Sequence, residues 1–217
     1  MRYQHYFWDF DGTLVNTYPG MVQAFSDALI ASGINDFELD PEAIYQAMRQ
    51  HSVGTAFQRF TAEYQLDEER LRKIYQRSVG EAIADAGVFA DVTDLLSAIV
   101  AAGGHNYLET HRDKGALTFL ADLGLADYFT DLVTADDHFP RKPDPSGLQS
   151  LLTRYDIDPK TAIMVGDRNL DIAAGHRAGM AGAMFDPEHM IVDESQPEVR
   201  VTRMAELQEW LFRTSDN

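Results

Sequence analysis

The chain has no cysteine among its 217 residues, and this absence excludes several kinds of site. Without thiols there is no disulfide framework, no thiolate zinc site and no cysteine nucleophile. Basic residues are scarce as well, since 18 Lys and Arg stand against 35 Asp and Glu, a formal net charge of −17. Such a surface repels nucleic acid and anionic membranes, so we expect neither as a partner.

Long apolar runs are also missing. No segment approaches the ~18 apolar residues of a membrane-spanning helix, and the first residues lack the pattern of a signal peptide. Hydrophobic residues make up 45% of the chain and charged residues 24%, which is typical of a globular protein with a sizeable core. We therefore expect a soluble, cytoplasmic protein, either a monomer or a homodimer, with one domain or one domain that carries an insertion.

The hydrophobic pattern changes along the chain. Residues 3–8 predict a buried strand, residues 21–86 show only helical patterns, and after residue 87 helices and strands alternate. The later strands are predicted at 105–108, 131–134, 161–166 and 181–185, and residues 186–200 are predicted to be irregular. Alternation is typical of a doubly wound, Rossmann-like parallel sheet. We predict an α/β core formed by residues 1–16 and 87–217, with residues 17–86 inserted as a helical cap domain.

Chemically active side chains follow the predicted strands. Ligands of open α/β sheets bind beyond the carboxyl ends of the strands, where the sequence places Asp9, Asp11, Thr110, Lys142, Asp167 and Asp171. Clustered carboxylates repel one another unless a cation neutralises them, and oxygen-only ligands suit Mg²⁺. One carboxylate can attack phosphorus to form an aspartyl-phosphate while the other handles a proton. Thr110 and Lys142 would then hold the phosphoryl oxygens.

Four short motifs occur in order along the chain: Asp9-Phe-Asp-Gly-Thr-Leu14, Thr110, Lys142 followed by Pro-Asp-Pro, and Gly166-Asp-Arg-Asn-Leu-Asp171. Together they resemble the haloacid dehalogenase-like (HAD) hydrolases, in the subgroup with a helical cap after the first motif and in its phosphoglycolate phosphatase-like branch. The likeness covers residues 3–186. Each motif is short, but their order and their placement after predicted strands make the signal specific.

The resemblance implies a role for each matching residue. Asp9 would be the nucleophile and Asp11 the general acid/base, while Thr110 and Lys142 would hold the phosphate. Mg²⁺ would be bound by Asp9, the main-chain carbonyl of Asp11 and Asp167. Asp171 would support the metal through water or through Lys142, although a carboxylate at this position could also merely cap the following helix.

Other residues are candidates for phosphate or substrate binding. Gly12 would let the chain turn closely past the phosphate, or it is a plain turn glycine. His111 and Arg112 stand where many relatives carry Asn directly after the second motif, and they would place two cations beside the phosphate; a structural imidazole is the alternative for His111. In the cap, a Gly-bearing loop offers Arg49, His51 and Ser52 to the leaving group, against the alternative of surface polar residues.

We therefore expect an enzyme, a Mg²⁺-dependent phosphatase of a small phosphorylated metabolite. A sugar-phosphate mutase like β-phosphoglucomutase would use the same residues. A non-enzymatic phospho-receiver-like module also clusters Asp, Thr and Lys, but receivers lack a helical insertion after the first strand. Dehalogenation fits poorly, because that branch needs no carboxylate at the position of Asp11.

Overall fold

The structure is a computed structural model that describes residues 1–213. The chain divides into two compact units. One comprises Met1–Val15, Val88–His189 and the chain from Asp193 onward, and the other comprises Asn16–Gly87 and Met190–Val192. The sequence-based division placed the insertion at 17–86 and assigned the short segment Met190–Val192 to the core.

The second unit is helical. Its helices are α1 (Tyr18–Ala31), α2 (Pro41–Gln50), α3 (Val53–Tyr64) and α4 (Glu68–Ala82). Asp40 caps α2 by accepting a hydrogen bond from the Ala43 N–H at 3.0 Å, as the Asp-Pro pair predicts. An aromatic cluster fills the interior, with ring centroids 4.9–6.0 Å apart among Phe25, Phe57, Phe60 and Tyr75.

Two helix starts in this unit differ from the sequence-based expectation. Helix α1 begins at Tyr18 rather than at residue 21, because Pro19 fits the first turn of a helix. Helix α3 begins at Val53, since Ser52 caps it by accepting from the Thr55 N–H at 3.0 Å. Gly54 therefore lies in the first turn of α3, and the predicted Gly-bearing loop is reduced to His51 and Ser52.

The first unit is built on a six-stranded parallel sheet. Its strands are β1 (His5–Trp8), β2 (His105–Glu109), β3 (Phe129–Val133), β4 (Ala162–Gly166), β5 (Ala181–Phe185) and β6 (Val199–Val201). They lie in the order β3-β2-β1-β4-β5-β6, so β1 is central, with β2 on one side and β4 on the other. This doubly wound α/β arrangement confirms the predicted fold class. Strand β6 falls at the end of the segment predicted to be irregular, because three residues are too few to show an alternation.

Up to residue 213, this unit also contains five α-helices: α5 (Val92–Ala101), α6 (Gly115–Asp122), α7 (Ser146–Arg154), α8 (Asn169–Arg177) and α9 (Met204–Phe212). A buried apolar cluster joins one face of the sheet to α7 and α8, with Phe7 and Met164 from the strands and Leu148, Leu151 and Ala174 from the helices. Within the described residues, no helix combines the length and the apolar character needed to cross a membrane.

A buried asparagine in β2 is hydrogen-bonded to the last residue of β1. The side-chain oxygen of Asn106 accepts from Trp8 Nε1 at 3.0 Å, and its nitrogen donates to the Tyr128 carbonyl at 3.1 Å. Because the polar groups of this pair are satisfied, they can be buried without the penalty of an unmade hydrogen bond. The pairing links β1 to β2, the two strands that carry Asp9 and Thr110 just beyond their ends.

Candidate active site

Asp9 follows directly after β1 and is almost fully buried, with 3% of its surface exposed. Its N–H donates to the carbonyl of Val165 in β4 at 2.9 Å, which continues the sheet pairing for one residue beyond the strand. One carboxylate oxygen, Oδ1, receives a hydrogen bond from Lys142 Nζ at 2.5 Å. The other oxygen, Oδ2, is buried and accepts no hydrogen bond from residues 1–213.

The chain turns sharply after Asp9. Gly12 has a φ of +78°, and its N–H donates to the carbonyl of Val15 at 2.8 Å. A side chain at position 12 would strain this turn, so glycine is required by the backbone itself. The turn also places Asp11 beside Arg112, whose Nε and Nη2 donate to the two carboxylate oxygens at 2.9 and 2.5 Å. Both side chains of this pair are about one-fifth exposed, at 21% each.

Three buried carboxylates form a cluster that could hold a metal ion. Within the described chain, one oxygen each from Asp9, Asp167 and Asp171 lie within 4.8 Å of one another. Burial raises the pKa of Asp9 to about 8; the Lys142 ammonium opposes this shift, and the charge of Asp171 adds to it. A divalent cation would relieve the repulsion and would use the unpaired Asp9 Oδ2. The residues present therefore fit Mg²⁺, which prefers carboxylate oxygens and water.

Asp171 contacts both the start of α8 and Lys142. Its Oδ2 accepts from the Arg168 N–H at the start of α8 at 3.1 Å, and its Oδ1 pairs with Lys142 Nζ at 2.7 Å. Burial opposes the ionisation of Asp171, but Lys142 and Arg168 lower its pKa below the usual range. Gly166 makes this position accessible, since a Cβ there would lie 2.2 Å from the Asp171 Cβ.

Lys142 is enclosed by carboxylates. Besides Asp9 and Asp171, its Nζ lies 3.2 Å from Oε2 of Glu109, the last residue of β2. Burial alone would lower the pKa of Lys142, but these three anions raise it well above the usual value. Glu109 is buried, and the sequence reasoning missed it. The available signal was a charged residue inside an otherwise buried strand, directly before Thr110.

Thr110 and His111 follow Glu109 at the end of β2. The Thr110 hydroxyl accepts from the Arg112 N–H at 3.2 Å, which leaves its own hydrogen to donate to a phosphoryl oxygen. His111 Nε2 accepts from the main-chain N–H of Lys142 at 2.9 Å. Burial, with Lys142 and Arg141 nearby, lowers the pKa of His111 to about 3. The prediction of a cation at His111 is therefore wrong, because the imidazole is neutral in this environment.

Arg168 is a second site residue that sequence reasoning missed. Its Nε lies 3.4 Å from Asp167 Oδ1 and 3.8 Å from Asp171 Oδ2. The fourth motif contains Arg168 between the two aspartates, so its position in the motif was the available signal. Its charge offsets part of the repulsion between those two buried carboxylates.

The cap candidates belong to the helical unit. Arg49, near the end of α2, is buried, and its guanidinium lies 5.9 Å from the ring centroid of Tyr18. His51 ends α2 and is exposed, and the Ser52 hydroxyl is used to cap α3. A role for Arg49 or His51 toward the substrate stays a prediction.

Comparison with known proteins agrees with this geometry. The family model described as haloacid dehalogenase-like hydrolase matches residues 6–185. The chain belongs to this family. It is 31% identical to the phosphoglycolate phosphatase of Rhodospirillum rubrum over 183 residues, which cover 79% of this chain and 75% of the relative. The resemblance to HAD hydrolases that the four motifs indicated is thereby confirmed.

Two solved structures from Streptococcus pneumoniae are similar to this chain. A hydrolase from strain TIGR4 is 32% identical, with a TM-score of 0.63, and the match covers 85% of this chain and 94% of that one. A haloacid dehalogenase-like family hydrolase has a TM-score of 0.81 at 18% identity, over 96% and 98% of the two chains, and shows the shared fold. The family and its phosphatase members make this chain a hydrolase of the phosphatase type.

Proposed function

We propose that this protein is a Mg²⁺-dependent phosphatase that hydrolyses small phosphorylated metabolites through an aspartyl-phosphate on Asp9. The observation that carries the proposal is the environment of the Asp9 carboxylate. One oxygen is held by Lys142, and the other is buried without a hydrogen bond, beside Asp167 and Asp171. A nucleophile, a phosphate-holding cation and an acidic metal site thus meet at one edge of the sheet.

The first half-reaction joins an Asp9 carboxylate oxygen to phosphorus and breaks the bond between phosphorus and the ester oxygen. The Thr110 hydroxyl and the Lys142 ammonium hold the phosphoryl oxygens while the charge on them is redistributed. Asp11 delivers a proton to the leaving alkoxide. When bound at Asp9 and Asp167, Mg²⁺ supplies positive charge that offsets the phosphoryl and carboxylate charges.

The second half-reaction returns Asp9 to its starting state. Asp11, now ionised, takes a proton from a water molecule as its oxygen attacks phosphorus, and the bond between Asp9 and phosphorus breaks. Inorganic phosphate is released. Arg112 donates to both oxygens of Asp11 and so fixes the orientation of the carboxylate in both half-reactions.

A small anionic substrate suits the charge distribution. The protein as a whole carries a net charge of −17, so attraction for an anion must be created locally. Lys142, Arg112 and Arg168 supply that charge beside the carboxylates. Similarity to a phosphoglycolate phosphatase supports phosphoglycolate as the first substrate to test. The cytoplasmic location and the monomeric or homodimeric state stay predictions.

The deciding experiment measures phosphate release from 4-nitrophenyl phosphate with Mg²⁺ and with EDTA. We expect activity only with Mg²⁺, and a loss of about 10³-fold or more in Asp9→Asn, because an amide cannot form the acyl-phosphate. Asp156→Asn is the matched control, since Asp156 is exposed and has a φ of +51° that Asn tolerates. Undiminished activity in Asp9→Asn would contradict the aspartyl-phosphate mechanism.

The substrate is then found by comparing kcat/KM values for phosphoglycolate, hexose phosphates and nucleoside monophosphates at fixed Mg²⁺. We expect a small phosphate ester to have the highest value. Interconversion of two sugar phosphates without net release of phosphate would instead identify a mutase.

A further inference from the structure

Lys142 is contacted at both of its ends by the two residues that flank Thr110. At the side-chain end, Nζ lies 3.2 Å from Glu109 Oε2 and donates to the Glu109 carbonyl at 3.1 Å. At the main-chain end, the Lys142 N–H donates to His111 Nε2 at 2.9 Å. The proposed chemistry uses Thr110 and Lys142 but has no task for Glu109 or His111.

Glu109 is confined as well as charged. It is 4% exposed and packs against Gly147 of α7. A Cβ added to Gly147 would lie only 3.1 Å from Glu109 Oε1, and it would also lie 3.3 Å from a methyl group of Val133 in β3. The carboxylate therefore has little room between β2, β3 and α7. Burial raises its pKa, and Lys142 opposes that shift. A buried carboxylate is costly unless it is paired, and Lys142 provides the pairing.

The Nε2 atom of His111 can act only as an acceptor in this place. The Lys142 N–H is the donor, so Nε2 must keep its lone pair. Burial and the cationic groups Lys142, Arg141 and Arg168 all disfavour the protonated ring, while Asp171 favours it. The balance keeps the imidazole neutral, which is the form that this hydrogen bond requires.

We propose that Glu109 and His111 are positioning residues that hold Lys142 beside Thr110, one through the ammonium and the other through the main-chain N–H. The inference rests on the proposed function, in which Lys142 and Thr110 bind the same phosphoryl group. Fixing the lysine from both ends keeps its ammonium next to the hydroxyl donor, where a displacement of about 1 Å costs much of the rate. His111 thus acts through Lys142, and not as a phosphate ligand.

Two possible roles of Glu109 predict opposite effects of the Glu109→Gln substitution on phosphate binding. If Glu109 only weakens the field of Lys142, then Glu109→Gln removes a negative charge and tightens the binding of phosphate. If Glu109 positions Lys142, the ammonium moves toward Asp9 and Asp171 in the variant, and phosphate binds more weakly. The direction of the change therefore distinguishes the two roles.

The test combines three variants with two measurements. Glu109→Gln removes the charge at one end, and His111→Asn is too short to reach the Lys142 N–H. His111→Gln places an oxygen acceptor near the position of Nε2 and restores that contact. Affinity for inorganic phosphate is measured by calorimetry with Mg²⁺ present, and kcat and KM are measured with 4-nitrophenyl phosphate. His138→Asn and Glu209→Gln are exposed controls that change the same residue types.

We expect Glu109→Gln and His111→Asn each to weaken phosphate binding about tenfold and to lower kcat, while His111→Gln stays within about threefold of the wild type. Tighter or unchanged phosphate binding in Glu109→Gln overturns the role of Glu109. Equal values for His111→Asn and His111→Gln overturn the role of His111. If Glu109→Gln does not fold, the two His111 variants still decide the main-chain contact.

The proposed function and this inference fail in different ways. A wild-type protein that releases no phosphate from any ester contradicts the function, and the calorimetric comparison still tests the positions of Glu109 and His111. An active wild type with unaffected variants contradicts only the inference.

Discussion

Lys142 offsets much of the negative charge in the site, because its single ammonium group lies among three buried carboxylates. Asp9, Asp171 and Glu109 all lie within 3.2 Å of its Nζ. Each of these anions would be costly to bury alone, and the shared cation offsets part of that cost. Burial is the main reason that the pKa of His111 is low, and the positive charges of Lys142 and Arg141 lower it further.

The neutral His111 makes the folded protein measurably sensitive to acid. Its pKa is about 3 in the folded protein and about 6.5 in the unfolded chain. Between these values the unfolded chain binds a proton that the folded protein does not, so stability falls as the pH falls below about 6.5. We expect the wild type to lose about 1 kcal/mol per pH unit relative to His111→Gln between pH 6.5 and pH 4.

This prediction is checked by urea unfolding of the wild type and His111→Gln at several pH values from 4 to 8. The difference between the two free energies of unfolding should be constant above pH 7 and should change steadily below 6.5. The exposed His138→Asn variant should follow the wild type throughout. A difference that does not vary with pH would show that His111 accepts a proton in the folded protein.

At the scale of elements, the site depends on how closely α8 approaches β4. Gly166 ends β4, and Asp171 lies in the first turn of α8, directly over the Gly166 Cα. This closeness lets one carboxylate bond the start of its own helix and also reach Lys142. The tight connection between β4 and α8 therefore sets the position of the Asp171 side chain in the site as well as the packing of the helix on the strand.

Gly166→Ala tests this approach. The new methyl group would lie 2.2 Å from the Asp171 Cβ, so Asp171 must move away from Lys142. We expect a loss of about 1–3 kcal/mol of stability and a fall in kcat of about tenfold or more. Thermal unfolding and hydrolysis of 4-nitrophenyl phosphate measure the two effects.

Gly80→Ala is the matched control for this change. Gly80 lies in α4 with no atom within 4 Å of an added Cβ, so alanine should leave stability equal or raise it by about 0.5–1 kcal/mol. Equal behaviour of Gly166→Ala and Gly80→Ala would mean that Asp171 tolerates displacement.

Elements of the sheet were predictable where local signals were strong. The strand that leads to Asp9 and the strands before Thr110 and Asp167 had apolar runs that end at polar residues, so the edge that carries the candidate site followed from the sequence. The pairs of residues that contact each other across the site could not be predicted from the sequence. Glu109 and Lys142 are 33 residues apart and Asp11 and Arg112 are 101 apart, and only the parallel pairing of strands brings such residues together.

Over the whole molecule, negative charge is abundant, and most of the carboxylates that are buried within the described residues lie in the candidate site. The protein has 35 acidic and 18 basic residues, and Asp9, Glu109, Asp167 and Asp171 are four carboxylates that water scarcely reaches. Lys142 and Arg168 are cations that contact this group. A divalent cation held by Asp9, Asp167 and Asp171 would relieve the repulsion within this cluster, so it should stabilise the folded protein as a whole.

We therefore expect Mg²⁺ to raise the melting temperature of the wild type. A free ion concentration of about 100 times its dissociation constant adds about 2.7 kcal/mol of stability when only the folded protein binds the ion. Asp167→Asn should lose most of this increment, because it removes the negative charge of one of the three clustered side chains. Asp156→Asn removes an equal charge from an exposed position and should retain the full increment. Differential scanning calorimetry with a series of MgCl₂ concentrations, and with NaCl at matched ionic strength, separates binding from screening. A melting temperature that responds equally to both salts, or equally in both variants, would show that the carboxylate cluster is not the Mg²⁺ site.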